Sequence, residues 1–489
     1  MSSAAAGGLA LGIDLGTTAV KALVLDARGK VAAFGSAPTT LITGEGGLVQ
    51  QDVEGIWKDA ARAVRRALAG SPATAGTPLG GRVRAVGLSS QGGTLILLDA
   101  QGRPVASALS WMDSRPARLG EDLMQGRDDL FYYEKTGWGL RFGGLPLAQL
   151  IRLRREEPET FRRAARLRFV NSYVVERLTG DAVSNPSDAG ITVLYNVRED
   201  RWDDELLAIA QIRRDMLPRV EPSGTPVGTL REQAAEQLGI SAEAVVVAGG
   251  HDQYCAAYGA GCRDAGDTIV SCGTAWVVLT MTSGPRFHPG VRLGVARAVS
   301  GELWGLLGSC PTAGASVDWL RRIVSPDGEP IPFDRFEAAA ASVPPSADAP
   351  VFVPPGGGRR GLVRLDGLAL HHGFAHAARA VLEGAAMSAR ELLCRMATAG
   401  AAPAMLRAVG GATRSRFWMQ TLSDVTGLPL EVAGVQEAAA FGAAMLAGRA
   451  TGVIPQDTPW PAPSARIEPR AELKELYGKL FQRFMEGNA

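Results

Sequence analysis

The sequence predicts an α/β protein built from two similar lobes. Three observations lead there. Short apolar strands alternate with amphipathic helices along much of the chain. One strand–turn–strand unit, at 13–25 around Gly16-Thr17, has the same layout as another at 267–282 around Gly273-Thr274, and the two threonines lie 257 residues apart, about half the chain. At 489 residues, the chain is also long for one domain of roughly 100–200 residues. The boundary is expected near Gly249-Gly250, which gives lobes 1–250 and 251–489.

The elements follow in order. Residues 11–15 read as a buried strand, 19–25 as its returning partner and 31–34 as the start of a third, a meander separated by turns. Asp52 is placed to cap a helix over 54–69. Its residues Trp57, Ala60, Val64 and Leu68 share one face, with Lys58, Arg62, Arg65 and Arg66 opposite. A Pro/Gly-rich connector at 71–81 leads to a strand over 83–88, the run Ser89-Ser90-Gln91-Gly92-Gly93, and another strand over 94–98. The middle is more helical, with candidates at 146–157 and 232–238. The polar stretch 185–204 is expected to be irregular. In the second half, 375–397 is the clearest helix, since Val381, Ala385, Ala389, Leu392 and Met396 recur every three or four residues. A helix over 436–446 consists almost only of small residues, which permits close packing. A proline-rich connector at 455–469 precedes an amphipathic helix over 470–485.

Composition narrows the function. Lys plus Arg number 51 and Asp plus Glu 50, so no net field favours nucleic acid or a membrane surface. No apolar run approaches the ~18 residues of a membrane span. Five cysteines, an odd and sparse count, argue for reduced thiols and a cytoplasmic setting. Glycine is the outlier, at 60 residues. That is well above the average of about 7% and points to sharp turns, close packing or backbone approach to a ligand.

No GxxxxGK[ST] loop is present. The one GxGxxG string, 356–361, follows two prolines and precedes Leu362-Val363-Arg364-Leu365 rather than a helix. It therefore lacks the context of a dinucleotide site. Asp14-Leu15-Gly16-Thr17-Thr18 is more informative. A carboxylate ending a buried strand, then a glycine turn and two hydroxyls, gathers the groups that Mg²⁺ and phosphate oxygens need. Lys21 would add charge, although an ordinary hairpin turn fits the same residues. Cys272-Gly273-Thr274 supplies a matching set, and two such turns in one chain suit a polyphosphate. Gly249-Gly250-His251-Asp252-Gln253 follows an apolar strand, and α/β folds place ligands at the carboxyl ends of strands. Asp252 would there accept a proton from a hydroxyl, or cap a helix. Gln253 would hydrogen-bond a polyol.

Other polar residues have plainer readings. Cys255, Cys262 and Cys272 fit no zinc spacing and read as buried thiols. His372 and His376 lack an evident third ligand, and His376 reads as a cap or surface residue. The arginine pairs at 162–163, 321–322 and 359–360 read as solvated faces.

Eight strings in order, LGIDLGTTAVKALVLD, GLSSQGG with WMDSR, LTGDAVSNPSDA, GGHDQ, SCGTA, AGASVDWL, AVGGATRSRFWMQTLSDVTGLPLE and EAAAFGAAMLA, resemble the FGGY carbohydrate kinases, relatives of xylulokinase and glycerol kinase. The resemblance covers nearly the whole chain. It implies two actin-like (ribonuclease H-like) lobes around a central ATP and sugar cleft, with ATP and Mg²⁺ as cofactors. It also implies a small sugar or polyol as partner, no nucleic acid or membrane, and allows a homodimer. It assigns Asp14 to the metal and Gly16, Thr17, Thr18 and Lys21 to the first phosphate motif. Gly273 and Thr274 match the second phosphate motif, Gly314 and Asp318 positions near the nucleotide, and Gly410, Gly411 and Ser415 the adenosine motif. Asp252 matches the catalytic base. Gln91, Gly92, Gly93, Trp111, Asp113, Arg115 and Gln253 match the sugar side. Xylulokinases carry Met-His after this Gln and glycerol kinases Arg-Glu, whereas Gly92-Gly93 stand here. A sugar-contacting side chain is thus missing: either the substrate is bulkier, or another group such as Trp138 or Arg141 reaches in. His251 beside Asp252 also departs from the small residue usual there, and whether it contacts the substrate is left open. The expected activity is transfer of the ATP γ-phosphate to a primary hydroxyl, with D-xylulose first among acceptors and ribulose, erythrulose or glycerol as alternatives. A non-catalytic nucleotide sensor and an actin-like ATPase are the competing classes.

Overall fold

The computed structural model describes residues 7–70, 78–140, 143–355 and 362–488. The glycine string 356–361, residues 71–77 of the connector and Arg141 lie outside them. Along the chain run β1 (Leu9–Leu15), β2 (Ala19–Leu25), β3 (Val31–Pro38), α1 (Val53–Ala69), β4 (Val83–Ser90), α2 (Pro186–Gly190), β5 (Pro226–Thr229), β6 (Val245–His251) and α3 (Asp252–Gly259). Then come β7 (Thr268–Cys272), β8 (Trp276–Thr282), β9 (Trp304–Cys310), α4 (Ala313–Ile323), α5 (Phe374–Thr398), β10 (Leu406–Val409), α6 (Arg416–Thr426), β11 (Leu430–Val432), α7 (Ala438–Ala450) and β12 (Ala465–Ile467).

The chain forms two compact units that are not consecutive stretches. The first holds Met1–Arg263, Thr282–Gly305 and Glu437–Trp460, and the second Asp264–Met281, Leu306–Gln436 and Pro461–Ala489. Asp252, next to the expected boundary, belongs to the first.

The first unit is organised on a sheet in the order β5-β6-β4-β1-β2-β3. β1 is buried throughout, as the run Leu9–Ile13, without a polar side chain ahead of Asp14, requires. It runs antiparallel to β2 and parallel to β4, and β4 runs parallel to β6. Register places Asp14 beside Ser89 and Ser89 beside Gly250, with Leu15, Ser90 and His251 in the next row. The polar residues ending three neighbouring parallel strands are thereby collected at one edge.

Helices cover both faces of this sheet. Asp52 caps α1 by accepting from the Glu54 N–H, and Trp57, Ala60, Ala63 and Val64 face the core. α1 comes so close to β3 that a Cβ on Gly35 would lie 2.4 Å from the Ala63 carbonyl. On the opposite face lies α7, the helix of small residues. It begins two residues later than expected and extends to Ala450. A Cβ on Gly12 would lie 2.0 Å from the Ala440 carbonyl, one on Gly87 2.2 Å from that of Ala443, and one on Gly259 of α3 2.1 Å from that of Ala438. Close packing explains these glycines, because no side chain fits between the backbones.

The second unit repeats the plan. Its sheet contains the order β9-β8-β7-β10-β11-β12. β7 runs antiparallel to β8 and parallel to β10, which runs parallel to β11. β7 therefore stands in its sheet as β1 does in the first, and the Gly-Thr turn follows it in the same way. The clearest predicted helix appears as α5, buried along most of its length.

The polar stretch from Asn185 is more ordered than its composition suggests. Asn185, Ser187 and Asp188 are buried in and before α2, because they satisfy one another. Cys255, Cys262 and Cys272 are buried and take part in no disulfide, and burial raises the pKa of Cys255 and Cys272. Among the described residues no group of His, Cys, Asp and Glu forms a metal cluster and no helix is long and apolar enough to cross a membrane. His376 sits at the start of α5, where its Nδ1 accepts from the Gly373 N–H at 3.2 Å.

Candidate active site

Asp14 is the centre of the first unit's polar edge. Its Oδ1 accepts from Ser89 Oγ at 2.8 Å across the β1–β4 ladder. Burial, with the nearby Asp252 carboxylate adding to it, pushes its pKa from 3.8 up to about 7. The Ser89 bond and Lys21 oppose that rise. Lys21 itself is held by Glu437, just ahead of α7, at 2.6 Å.

The turn after β1 is fixed by contacts on both sides. A Cβ on Gly16 would lie 2.7 Å from the Ala19 carbonyl. Thr17 Oγ1 donates to Gln91 Oε1 at 3.0 Å and accepts from Trp111 Nε1 at 3.1 Å, while Thr18 is exposed. Gln91 is buried. Its Nε2 donates to Gln51 Oε1 at 3.0 Å, so the side chain clamps the turn. Trp111 is 39% exposed, an aromatic face left open beside Thr17. Asp113 is fully buried and accepts from Arg115 Nη2 at 2.7 Å and from the Val49 N–H at 3.3 Å. Arg115 and Asp113 thus hold each other and shape the loop that presents Trp111.

β6 delivers His251 and α3 begins with Asp252. The His251 N–H donates to Ser187 Oγ at 3.0 Å. Its Nδ1 accepts from the Gln253 N–H at 3.4 Å and lies 3.3 Å from Asp252 Oδ1. Gln253 Oε1 is buried and has no hydrogen-bond partner among the described residues. A Cβ on Gly92 would lie 2.5 Å from His251 Cδ2 and 2.8 Å from its Nε2. Gly93 has φ +76°, a conformation that favours glycine on backbone grounds. Trp138 is buried with its ring against Gly294.

Asp188 is a site residue that sequence reasoning missed. Its carboxylate accepts from Ser90 Oγ at 3.2 Å, Asn171 Nδ2 at 2.8 Å and Asn185 Nδ2 at 2.7 Å. Burial raises its pKa to about 6, against the lowering pull of His251. The only signal in sequence was the polar cluster SNPSDA. Ser89 and Glu437 were also missed, because their roles come from register and from a distant helix.

In the second unit, Gly273, Thr274, Gly314 and Gly410 come together. A Cβ on Gly314 would lie 2.1 Å from the Gly273 carbonyl, and the Ala315 N–H donates to the Thr274 carbonyl at 2.9 Å. The start of α4 therefore rests on the turn. Gly410 has φ +98°, and its Cβ would lie 2.8 Å from the Cys272 carbonyl. Gly411 opens the short turn after β10. Ser415 caps α6 by accepting from the Trp418 N–H at 2.9 Å and bonds Glu337. Asp318, one turn along α4, pairs with Arg321 at 2.6 Å.

Carboxylates, hydroxyls and backbone N–H groups gathered at the ends of a repeated α/β unit are the layout of a phosphate-handling enzyme. Direct comparison supplies the family. The FGGY family of carbohydrate kinases matches with its N-terminal domain over residues 9–259 and its C-terminal domain over 268–451. The chain belongs to this family and is a sugar kinase by class. It is 33% identical to a glycerol kinase from Gloeobacter violaceus, over 92% of this chain and 90% of that one. It is 30% identical to the xylulose kinase of Escherichia coli, over 89% of each. The structure of a xylulose kinase from Rhodospirillum rubrum matches with a TM-score of 0.87 at 25% identity, over 98% of each chain.

Proposed function

We propose that this protein transfers the γ-phosphoryl group of ATP to a primary hydroxyl of a small ketose or polyol. The observation that carries this reading is the nearness of the Asp14 and Asp252 carboxylates, with a Gly-Thr turn after Asp14, in a chain of the FGGY family. A pentulose such as D-xylulose is the first acceptor to test. Ribulose, erythrulose and glycerol follow, glycerol because several relatives bear that activity in their names.

Phosphoryl transfer asks mainly for positioning and charge neutralisation. Asp252 is assigned to the acceptor hydroxyl, whose proton it takes late, as the new O–P bond forms. Such base catalysis is typically worth about 10²–10⁴-fold. Gln253 is assigned to the acceptor, because a buried carbonyl oxygen without a partner is costly until a donor reaches it. Trp111 offers an apolar wall. In the second unit, the turn Gly273-Thr274 with Gly314, and the turn Gly410-Gly411, are assigned to nucleotide, since they match the family's second phosphate motif and adenosine motif.

The donor set fits Mg²⁺. Asp14 is a carboxylate at a strand end, with the Ser89 hydroxyl bonded to it and the Asp252 carboxylate nearby, and hard divalent cations take one or two carboxylates together with phosphate oxygens and water. Two neighbouring carboxylates, one with a raised pKa, are also stabilised by a positive charge. When bound, such a cation supplies neutralisation of the phosphate charge.

An ADP-release assay over ketoses, polyols and aldoses tests the reading. Asp252→Ala should abolish ADP release and leave nucleotide binding in place. Full activity in that variant would sink the assignment. Rapid ATP turnover without any acceptor would favour an ATPase instead.

A further inference from the structure

Gly92 and His251 touch although they lie on different strand ends. The conformation at Gly92 does not demand glycine, because its φ lies outside the left-handed region that sets Gly93 apart. What excludes a side chain there is the His251 ring, with Cδ2 at 2.5 Å and Nε2 at 2.8 Å from where a Cβ would stand, together with Ile191 Cγ2 at 2.8 Å. The imidazole therefore sits beside Ile191 in a notch that only glycine leaves. The other side of the ring is equally fixed. Nδ1 faces the Gln253 N–H at 3.4 Å and Asp252 Oδ1 at 3.3 Å, and Tyr254 meets the ring edge-on with centroids 5.9 Å apart.

Nδ1 faces both the Gln253 N–H and Asp252 Oδ1, so two neutral tautomers are open to the ring. In the one where Nδ1 accepts from Gln253, the proton is on Nε2. No described residue hydrogen-bonds Nε2. The neighbouring Gln253 Oε1 is an acceptor without a donor. In that tautomer one free donor and one free acceptor flank Asp252 in sequence, a set complementary to a hydroxylated, uncharged ligand.

We propose that Gly92 and His251 form one specificity element, in which the notch at Gly92 seats the imidazole so that Nε2–H binds an oxygen of the acceptor sugar beside Asp252. This rests on the kinase reading above and deepens it. The space of a side chain absent at position 92 is filled from position 251, and recognition passes from one strand end to the next.

The test pairs variants with acceptors. The best acceptor of the wild-type enzyme is compared with its set of monodeoxy analogues in wild type, His251→Ala, His251→Gln, Gly92→Ala and the double variant Gly92→Ala/His251→Ala. His251→Ala should raise the acceptor KM roughly 10–100-fold, with kcat and the KM for ATP changing less than about threefold. One deoxy analogue should lose a similar factor in wild type and no longer be penalised in His251→Ala. His251→Gln keeps a donor and should recover part of the loss. Gly92→Ala should resemble His251→Ala, and the double variant should add little, because both displace the same ring. Thermal melts identify a variant that has not folded. Should Gly92→Ala be one, the His251→Ala cycle with the deoxy series decides alone. Unchanged acceptor KM in His251→Ala, with every deoxy penalty retained, overturns the proposal. Absence of ADP release by wild type with every acceptor removes the kinase reading itself, a different result from failure of the His251 variants.

Discussion

Ser89 Oγ, on the strand parallel to β1, reaches Asp14 Oδ1 at 2.8 Å. That bond stabilises the ionised carboxyl, yet burial outweighs it and the pKa stands at about 7. Burial thus leaves the ionised form of this carboxyl under-stabilised by its neighbours.

A pH-dependent stability effect follows. Asp14 has a folded pKa of about 7 against an ordinary 3.8, so the fold favours the protonated form. Its contribution is complete below the unfolded value and is lost as the pH rises through about 7. Asp14→Asn should raise Tm at pH 8 by roughly 3–6 °C, and the gap should close near pH 4. It should also abolish activity. A Tm gap that stays constant from pH 4 to 8 would contradict the burial argument.

Glu437 acts on Asp14 twice, as a like charge and by occupying Lys21. Glu437→Gln removes both effects, and each change lowers the Asp14 pKa. The acid limb of kcat/KM should move to lower pH by roughly half a unit. An unmoved limb would mean that Asp14 ionisation does not limit turnover.

Arg115 is the main partner of the fully buried Asp113 carboxylate. Arg115→Ala strands that charge and should cost on the order of 3 kcal/mol, read as a drop in Tm. The acceptor KM should rise as the Trp111 loop loosens. Arg115→Lys should recover only part, since one ammonium cannot make the paired bonds of a guanidinium.

Gly12 has no room for a methyl group, with the Ala440 carbonyl 2.0 Å from its Cβ position. Gly12→Ala should destabilise by about 2–3 kcal/mol, seen as a lower Tm and less soluble protein. Gly284→Ala, where no atom lies within 4 Å, serves as the control and should stay within about 0.5 kcal/mol. Equal Tm values for the two variants would refute the packing account.

The strands and both Gly-Thr turns were legible because apolar runs broken by glycine leave few alternatives. The order of strands around β1 and β7 bore out the repeat. The helix of small residues was legible as a close packer, but its partner was not. Nothing local in 438–450 points to strands more than 350 residues earlier. The candidate site was legible where strand ends carry it, at Asp14, Thr17, Gly273 and Asp252. The chain alone could not show that Gln91 clamps a turn, that Arg115 is spent on Asp113, or that Asp188 is buried among amides. Each depends on which elements become neighbours, and periodicity carries no such information. Gly92 shows the limit most clearly. As sequence it is a missing side chain, and in the fold it is a seat for His251.

The place of α7 in the chain has a consequence for how the protein is made. Its residues cover the face of the first sheet that bears Gly12 and Gly87, yet they are translated nearly 190 residues after the last strand of that sheet, β6. At roughly 5–20 residues per second, the nascent sheet waits on the order of ten seconds or more on the ribosome with that face bare. The first unit is therefore among the last parts of the molecule to close, and a chain released before Ala450 carries an open sheet.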